Sequence, residues 1–208
     1  LKQQVRRLVH LSSPSIYFDG RAHAAIREEQ LPKRFFDHYG KTKYLAEQRV
    51  FGAQEFGLEV LALRPRSVTG AGDTSIFPRL IGMQRKGRLA IIGNGLNKVD
   101  FTNVHNLNDA LLSSLQVGGA ALGQVYNISN GAPVPLWDVV NYVSRRLELP
   151  PVTRHVPCPL AYAAATLNEG VCRVLPGRPE PSLFRLGVAV MARDFSLNID
   201  RAREYLGY

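Results

Sequence analysis

A tyrosine and a lysine four residues apart, Tyr39 and Lys43, form the most informative pair in the sequence. On a helix, residues four apart lie on one face, so this spacing places a phenol beside an ammonium group. An isolated tyrosine has a pKa of about 10, and a nearby cation lowers that pKa by favouring the phenolate. Because solvated helices also carry this spacing by chance, the pair by itself defines only a candidate acid–base site.

Two serines, Ser12 and Ser13, give the pair its support. They follow the apolar residues 5–11, which predict a buried strand that ends in a loop. Parallel α/β sheets gather functional loops at the carboxyl ends of their strands, so we expect these serines to meet the tyrosine–lysine pair. A hydroxyl, a phenol and an ammonium group together can polarise a carbonyl, transfer a proton and hold a polar cofactor.

Predicted strands and helices alternate through about residue 150, which is typical of an α/β fold with a mainly parallel sheet. The segment at residues 17–31 is predicted to be irregular, and Asn106 or Asn108 is predicted to cap the helix that follows the fourth strand. The predicted strands are residues 5–11, 58–63, 89–92, 99–104 and 124–128. The predicted helices are residues 39–56, 77–88, 106–117, 136–147, 160–167 and 199–205.

Composition narrows the class of protein. The 208 residues are 45% hydrophobic and 21% charged, which excludes collagen, coiled coils and disordered tails. The net charge is +9, but the basic residues are dispersed and form no block interleaved with aromatics, so nucleic-acid binding is not predicted. Two cysteines, Cys158 and Cys172, are too few for a disulfide scaffold and favour a reducing, cytoplasmic location. No apolar run approaches the roughly 20 residues of a membrane span, and the histidines and cysteines show no metal-ligand spacing.

Several segments, taken in order, resemble the extended short-chain dehydrogenase/reductase family over essentially the whole chain. They are Val-His-Leu-Ser-Ser-Pro-Ser-Ile-Tyr at 9–17, Tyr-Gly-Lys-Thr-Lys at 39–43, Leu-Arg-Pro-Arg-Ser-Val-Thr-Gly-Ala-Gly-Asp at 63–73, and Val-Tyr-Asn-Ile-Ser-Asn-Gly at 125–131. The resemblance implies an enzyme that uses NAD or NADP to transfer a hydride between nicotinamide and a hydroxyl or keto substrate.

The resemblance also implies a role for each site residue. Ser13 would bind the substrate oxygen, with Ser12 as the alternative, and Tyr39 would be the general acid/base. Lys43 would bind the ribose hydroxyls of the cofactor and lower the pKa of the tyrosine. The nicotinamide would be lined, largely through backbone groups, by four consecutive residues: Pro65, Arg66, Ser67 and Val68.

Within the family, two branches differ in the strand around residue 100. Nucleotide-sugar epimerases and dehydratases carry Arg-Asp-Tyr there, whereas this chain has Val99-Asp100-Phe101. The departure favours the branch that resembles 3β-hydroxysteroid dehydrogenases, with a sterol-like or 3-ketoacid-like substrate. The alternatives are a nucleotide-sugar epimerase/dehydratase and a non-catalytic NAD(P)-binding regulatory protein.

The family begins with a glycine-rich turn that seats the pyrophosphate on a helix N-terminus. Gly70-Ala-Gly72 and Gly93-Asn-Gly95 lack its third glycine, so they are predicted to be turn glycines. The resemblance therefore implies the C-terminal part of a Rossmann-type doubly wound parallel sheet plus a small mixed α/β substrate-binding region. Residues 1–150 would form the catalytic half, with substrate-region segments at about 70–100, and 151–208 the substrate-binding part. Without a glycine-rich half, these 208 residues are expected to be inactive.

Weaker candidates lie outside these motifs. His10 on the first strand is predicted to be a hydrogen-bonded core histidine, and Trp137 is predicted to lie in the core. Residues considered for the substrate pocket are Phe77, Arg79 and Arg185. The resemblance also implies a homodimer that pairs through the helix at 39–56, and the outward face of this helix is predicted to carry Lys41, Glu47 and Gln54.

Overall fold

The computed structural model describes residues 5–177, 179 and 181–208. The strands are β1 Arg7–Leu11, β2 His23–Ile26, β3 Glu59–Pro65, β4 Val68–Thr69, β5 Ile91–Ile92, β6 Lys98–Val99, β7 Thr102–Asn103, β8 Val125–Ile128, β9 Val134–Pro135, β10 His155–Val156 and β11 Phe195–Leu197. The α-helices are α1 His38–Gly52, α2 Ile76–Arg85, α3 Val104–Gln116, α4 Leu136–Arg146, α5 Cys158–Val174, α6 Arg185–Ala192 and α7 Asp200–Leu206, and short 3-10 turns span Pro14–Tyr17, Ala53–Phe56 and Gly119–Ala121.

The central sheet has the strand order β1-β3-β8, and all its pairs are parallel. Strand β3 lies in the middle and is buried from Val60 to Arg64, which explains its continuous apolar sequence. Helices α3 and α7 cover this sheet, because Leu107 and Leu206 pack in one cluster with Leu61 and Tyr126. The α/β prediction with a parallel sheet is confirmed.

The chain also forms a second region beyond the central sheet. It contains a four-stranded sheet of order β2-β11-β6-β9 and the parallel pair β5-β10. Helix α4 packs here through Trp137, which is 2% exposed and confirms its predicted place in the core. Because β2, β6 and β9 precede residue 150 and β11 follows it, both predicted parts of the chain share one sheet. The boundary at residue 150 stays a prediction.

Several elements differ from the sequence-based predictions. The segment predicted to be irregular contains β2, which pairs with β11 more than 170 residues later, and local sequence does not reveal such a distant partner. The single strand predicted at 99–104 is divided into β6 and β7. Helix α3 is capped by Asn103, whose side chain accepts a hydrogen bond from the His105 amide, rather than by Asn106 or Asn108.

The predicted helix at 160–167 extends over all of α5, and α6 and the short β10 were not predicted. Strand β1 is half-buried rather than fully buried, with Leu8 and Leu11 exposed, because β1 forms an edge of the central sheet in the described part of the chain. Gly93 and Gly95 have φ values of 76° and 73° in the turn after β5, so their prediction as turn glycines is confirmed.

Candidate active site

The serines that follow β1 occupy different environments. Ser12 is buried, and its amide donates to the Leu63 carbonyl oxygen at 2.8 Å, while its hydroxyl has no hydrogen-bond partner among the described residues. Ser13 is half-buried and caps the 3-10 turn, because its Oγ accepts from the Ser15 amide at 3.2 Å and lies 3.1 Å from the Ser15 hydroxyl. Of the two hydroxyls, that of Ser13 is the more accessible.

Helix α1 begins next to this turn. Its N-cap is Asp37, whose Oδ1 accepts a hydrogen bond from the Gly40 amide at 2.7 Å. Gly40 is buried, and a Cβ at this position would lie 2.7 Å from the backbone oxygen of Ser15. The absence of a side chain at Gly40 therefore lets the start of α1, with Tyr39, pack directly on the turn that Ser13 caps.

The tyrosine–lysine pair lies on α1 as its spacing predicts. Tyr39, in the first turn, is 52% exposed. Lys43 follows one turn later, is half-buried, and donates from Nζ to the Leu11 carbonyl oxygen at 3.2 Å. That hydrogen bond joins the helix face to the carboxyl end of β1, and two of the three ammonium N–H donors remain for another ligand.

His10 differs from its prediction as a hydrogen-bonded core histidine. It is half-buried, and its Nε2 atom is buried without a partner among the described residues. Burial lowers the pKa of His10, and the positive charge of Lys43 lowers it further. Burial and the lysine charge therefore both favour the neutral ring.

The prediction that Glu47 lies on the outward face of α1 is wrong. Glu47 follows Tyr39 and Lys43 at the same four-residue interval, is 1% exposed, and forms an ion pair with Arg64 of β3. The pair is bidentate, since Nε and Nη2 of Arg64 donate to the two carboxylate oxygens at 2.8 and 2.5 Å. The repeated spacing was visible in the sequence, but the partner on β3 was not.

The ion pair continues into a buried polar network. Nη1 of Arg64 donates to the Tyr17 hydroxyl and, at 3.0 Å, to the Glu28 carbonyl oxygen. Tyr17 donates in turn to the side-chain oxygen of Asn127 on β8 at 2.7 Å. Burial raises the pKa of Tyr17, so its hydroxyl keeps its proton. Because this network joins α1, the 3-10 turn and two strands, it fixes the helix that carries Tyr39.

The segment at residues 65–68 follows β3 at the same edge of the central sheet. The Arg66 amide donates to the Ile128 carbonyl oxygen at 3.0 Å, and the Thr102 hydroxyl donates to the Arg66 carbonyl oxygen at 2.6 Å. Ser67 has a φ of 44°, which non-glycine residues rarely adopt. Several hydrogen bonds and the β4–β7 pair hold this unusual backbone in place.

A cavity of about 470 Å³ opens from this segment into the second region. Its lining is largely apolar and comes from α2, α5, α6 and β5. Arg66 and Ser67 line one end, and Met83, Ile92, Ala161 and Val188 are among the apolar lining residues.

A wider groove of about 1240 Å³ runs past Tyr39 and shares Arg79 and Phe184 with the cavity. Arg185 lines the groove and forms an ion pair with Glu169. Phe77 does not line the cavity but stacks on Phe101, which does. The structure thus brings two of the three pocket candidates, Arg79 and Arg185, to the space beside Tyr39.

Over residues 5–177, 179 and 181–208, no group of three His, Cys, Asp or Glu side chains is placed to hold a metal ion. Within the same ranges, no helix has both the length and the apolar composition that a membrane crossing requires.

Curated proteins with related sequences include two oxidoreductases. The 2-alkyl-3-oxoalkanoate reductase of Stenotrophomonas maltophilia is 34% identical over 215 residues, which cover 98% of this chain and 64% of the relative. The decarboxylating sterol-4-alpha-carboxylate 3-dehydrogenase of Schizosaccharomyces pombe is 32% identical, with coverage of 100% of this chain and 62% of the relative. The chain therefore spans about three fifths of the length of these relatives.

Solved structures show the same architecture. MoeE5, solved with UDP-glucose and NAD, is 27% identical with a TM-score of 0.71 and is matched over 100% of this chain and 60% of its own. UDP-glucuronic acid 4-epimerase from Bacillus cereus is 20% identical with a TM-score of 0.69, over 97% of this chain and 55% of its own, which supports the fold alone. The prediction of a Rossmann-type sheet is confirmed.

The family assignment rests on a match to more than half of the chain. The model of the NAD dependent epimerase/dehydratase family matches residues 1–129, which include both the serine loop and the tyrosine–lysine helix. We conclude that this chain belongs to the NAD dependent epimerase/dehydratase family.

Proposed function

We propose that the full-length protein containing this chain is an NAD(P)-dependent oxidoreductase that acts on a small hydroxyl or keto substrate. The observation that carries the proposal is the hydrogen bond from Lys43 to Leu11, because it joins the Tyr39 face of α1 to the strand end that bears Ser13. When bound, nicotinamide supplies or accepts the hydride. The chain's own residues would bind the reacting oxygen and move its proton.

The donor set of the site fits a dinucleotide. The remaining N–H donors of Lys43 and the Tyr39 phenol suit ribose hydroxyls, which both donate and accept hydrogen bonds. Residues 65–68 would present their backbone groups to the nicotinamide. Surrounding hydrogen bonds hold the unusual Ser67 conformation, so these groups would keep a fixed position. We propose Pro65, Arg66, Ser67 and Val68 as its lining, and the chain leaves the choice between NAD and NADP open.

Each site residue has a distinct proposed task. The Ser13 hydroxyl would donate a hydrogen bond to the substrate oxygen and hold it beside the tyrosine. The Tyr39 phenol, which is exposed to the groove, would give or take the proton. The Lys43 ammonium would stabilise the phenolate that forms when the proton leaves.

The cavity supports a substrate with an apolar body, either sterol-like or 3-ketoacid-like. Its lining is mostly apolar, and 470 Å³ suits a molecule of that size. Val99, where the nucleotide-sugar branch carries arginine, is buried in an apolar cluster with Leu89 and Trp137 and offers no cation to a diphosphate. The relatives named above as a 3-oxoalkanoate reductase and a sterol-carboxylate dehydrogenase agree with this substrate class.

The direct test replaces Tyr39 by phenylalanine in the full-length protein. We expect turnover of a 3-hydroxy acid or a sterol-like alcohol, followed by NAD(P)H absorbance, to fall by about 10²–10⁴-fold, because general acid–base catalysis contributes that much. The matched control is Tyr142→Phe, since Tyr142 is also exposed, at 53%, but lies on α4 away from the groove. Undiminished turnover by Tyr39→Phe contradicts the mechanism.

A nucleotide-sugar epimerase/dehydratase is the second candidate. The observation that favours it is the 27% identity to MoeE5, which was solved with UDP-glucose. Turnover of UDP-glucose in place of the hydroxy acids and alcohols would support this candidate. Binding of NAD(P) without turnover of either substrate class would instead support the non-catalytic regulatory protein.

The homodimer stays a prediction. With Glu47 buried, the outward face of α1 carries Leu45, and the turn that follows it carries Phe56, both exposed. These side chains give the face more apolar surface than its sequence indicated, which supports pairing through this helix.

A further inference from the structure

Arg66 is a cation at the inner end of an apolar cavity. It lines the cavity together with Ser67, and its Nε atom is buried without a hydrogen-bond partner. In the described part of the chain, its guanidinium takes part in no hydrogen bond and no ion pair, and its Cζ lies 4.6 Å from the centre of the Phe195 ring. Arg66 is half-buried, its Nε atom is removed from water, and the charge of Asp100 acts on it without forming an ion pair, so the guanidinium can still accept an anionic ligand from the cavity.

We propose that Arg66 binds a carboxylate of the substrate and thereby selects amphiphilic 3-hydroxy or 3-oxo acids over their uncharged analogues. The inference rests on the proposed function, because it assigns a substrate class to that same site. It goes further by naming the residue that recognises the charged group.

Asp100 is the acidic group whose charge acts on Arg66, but no ion pair joins the two among the described residues, and Oδ1 of Asp100 is buried without a hydrogen-bond partner. Its Oδ2 accepts a hydrogen bond from the Leu197 amide of β11 at 2.7 Å. Burial raises the pKa of Asp100, and the positive charge of Arg66 opposes that rise. Burial also lowers the pKa of Arg66 to about 10, which leaves the guanidinium charged at neutral pH although Asp100 does not pair with it.

The position of Arg66 defines where the carboxylate would lie relative to the reacting carbon. Arg66 directly follows β3, and β3 pairs with β1 so that Leu63 stands beside Leu11, two residues before Ser13. The arginine and the serine loop therefore share one edge of the sheet. In this proposal, a carboxylate on Arg66 would leave the reacting carbon a few bonds away to extend along this shared edge toward the serine loop, with the apolar body of a 3-hydroxy or 3-oxo acid in the cavity.

Three further arginines line the cavity but differ from Arg66. Arg79, Arg88 and Arg154 are all exposed, so water already solvates their charges. A carboxylate at an exposed arginine gains little, because surface ion pairs contribute weakly. The control for the loss of a cation is Arg85, which is exposed in the last turn of α2 and lines neither the cavity nor the groove.

The experiment compares 3-hydroxydodecanoate with its methyl ester as substrates of the full-length protein. We expect the wild type to prefer the acid, and Arg66→Met to lower kcat/KM for the acid by about 10–100-fold, the range of a hydrogen bond between charged groups. The kcat/KM for the ester should fall less than that for the acid, so that the preference for the acid is reduced. Arg66→Lys should retain part of the preference, and Arg85→Met should leave both substrates unaffected. Equal losses for acid and ester in Arg66→Met, or no preference in the wild type, would overturn the proposal.

A binding measurement separates this proposal from the proposed function. Dodecanoate has no hydroxyl to oxidise, so its binding can be followed by calorimetry without cofactor or turnover. Binding by the wild type that Arg66→Met weakens at least tenfold supports the role of Arg66 even if no oxidoreductase activity is found. Absent binding, or equal binding by both proteins, contradicts the role of Arg66 even if activity is found.

Discussion

Two arginines two residues apart, Arg64 and Arg66, occupy opposite environments at the end of one strand. Arg64 is 2% exposed and donates to Glu47, Tyr17 and the Glu28 carbonyl. Arg66 lies against a cavity and has no acceptor in the described part of the chain. Arg64 therefore stabilises the internal structure, whereas Arg66 is the arginine that we propose binds a ligand.

The difference shows how the molecule separates positioning from recognition. The Arg64 network is closed, because each buried charge and hydroxyl in it has a partner, and it holds α1 against the central sheet. At the Arg66 end, the cavity is lined mainly by apolar side chains, and the Nε atom of Arg66 has no hydrogen-bond partner among the described residues. Rigid groups beside an open apolar space are what a site needs to hold a substrate of defined shape.

Removing the partner of Arg64 is the strongest way to test the comparison. Glu47→Leu leaves Arg64 buried and without its carboxylate, so we expect the free energy of unfolding to fall by about 3–5 kcal/mol. Urea denaturation followed by circular dichroism measures the change. Glu55→Leu is the control, since Glu55 is exposed just beyond α1 and its change should stay within about 0.5 kcal/mol.

The double variant Glu47→Leu/Arg64→Met sharpens this result. Replacing both members of a buried pair by apolar groups removes the uncompensated charge, so the double variant should be more stable than Glu47→Leu alone. Simple addition of the two single losses would show instead that the ion pair does not account for the stability of this region.

Gly40 offers a smaller test on the same helix. A Cβ here would lie 2.7 Å from the Ser15 backbone oxygen, so we expect Gly40→Ala to cost about 1–3 kcal/mol and to lower turnover by displacing Tyr39. Gly52→Ala is the matched control, because a Cβ at Gly52 has no atom within 4 Å and alanine favours helix. Thermal unfolding should show a loss for the first variant and no loss for the second. Equal stability and activity of the two variants would contradict the close packing of α1 on the serine turn.

Local sequence was enough to predict several of the elements. The apolar run of β3, the tyrosine–lysine spacing on α1 and the glycines after β5 are short-range signals, and each predicted its element. The resemblance to a family added roles for Ser13, Tyr39 and Lys43, which stay predictions for this chain.

The remaining features depend on contacts between distant residues. Glu47 has the appearance of a solvated helix residue until its partner, 17 positions later, is known. Strand β2 exists because β11 pairs with it, and the sequence of β2 alone indicates an irregular segment. Arg66 shows the same limit, since its identity does not reveal that its Nε atom is buried without an acceptor.

The most direct test of the account measures the free energy of unfolding of Arg64→Met and Arg66→Met side by side. We predict that Arg64→Met loses about 3–5 kcal/mol, because Glu47 is left buried and unpaired. Arg66→Met should lose much less, because it breaks no hydrogen bond or ion pair of the described residues and removes only the contact with Phe195 and the longer-range attraction of Asp100. A loss in Arg66→Met as large as that in Arg64→Met would show that Arg66 is also structural and would contradict its assignment to the substrate.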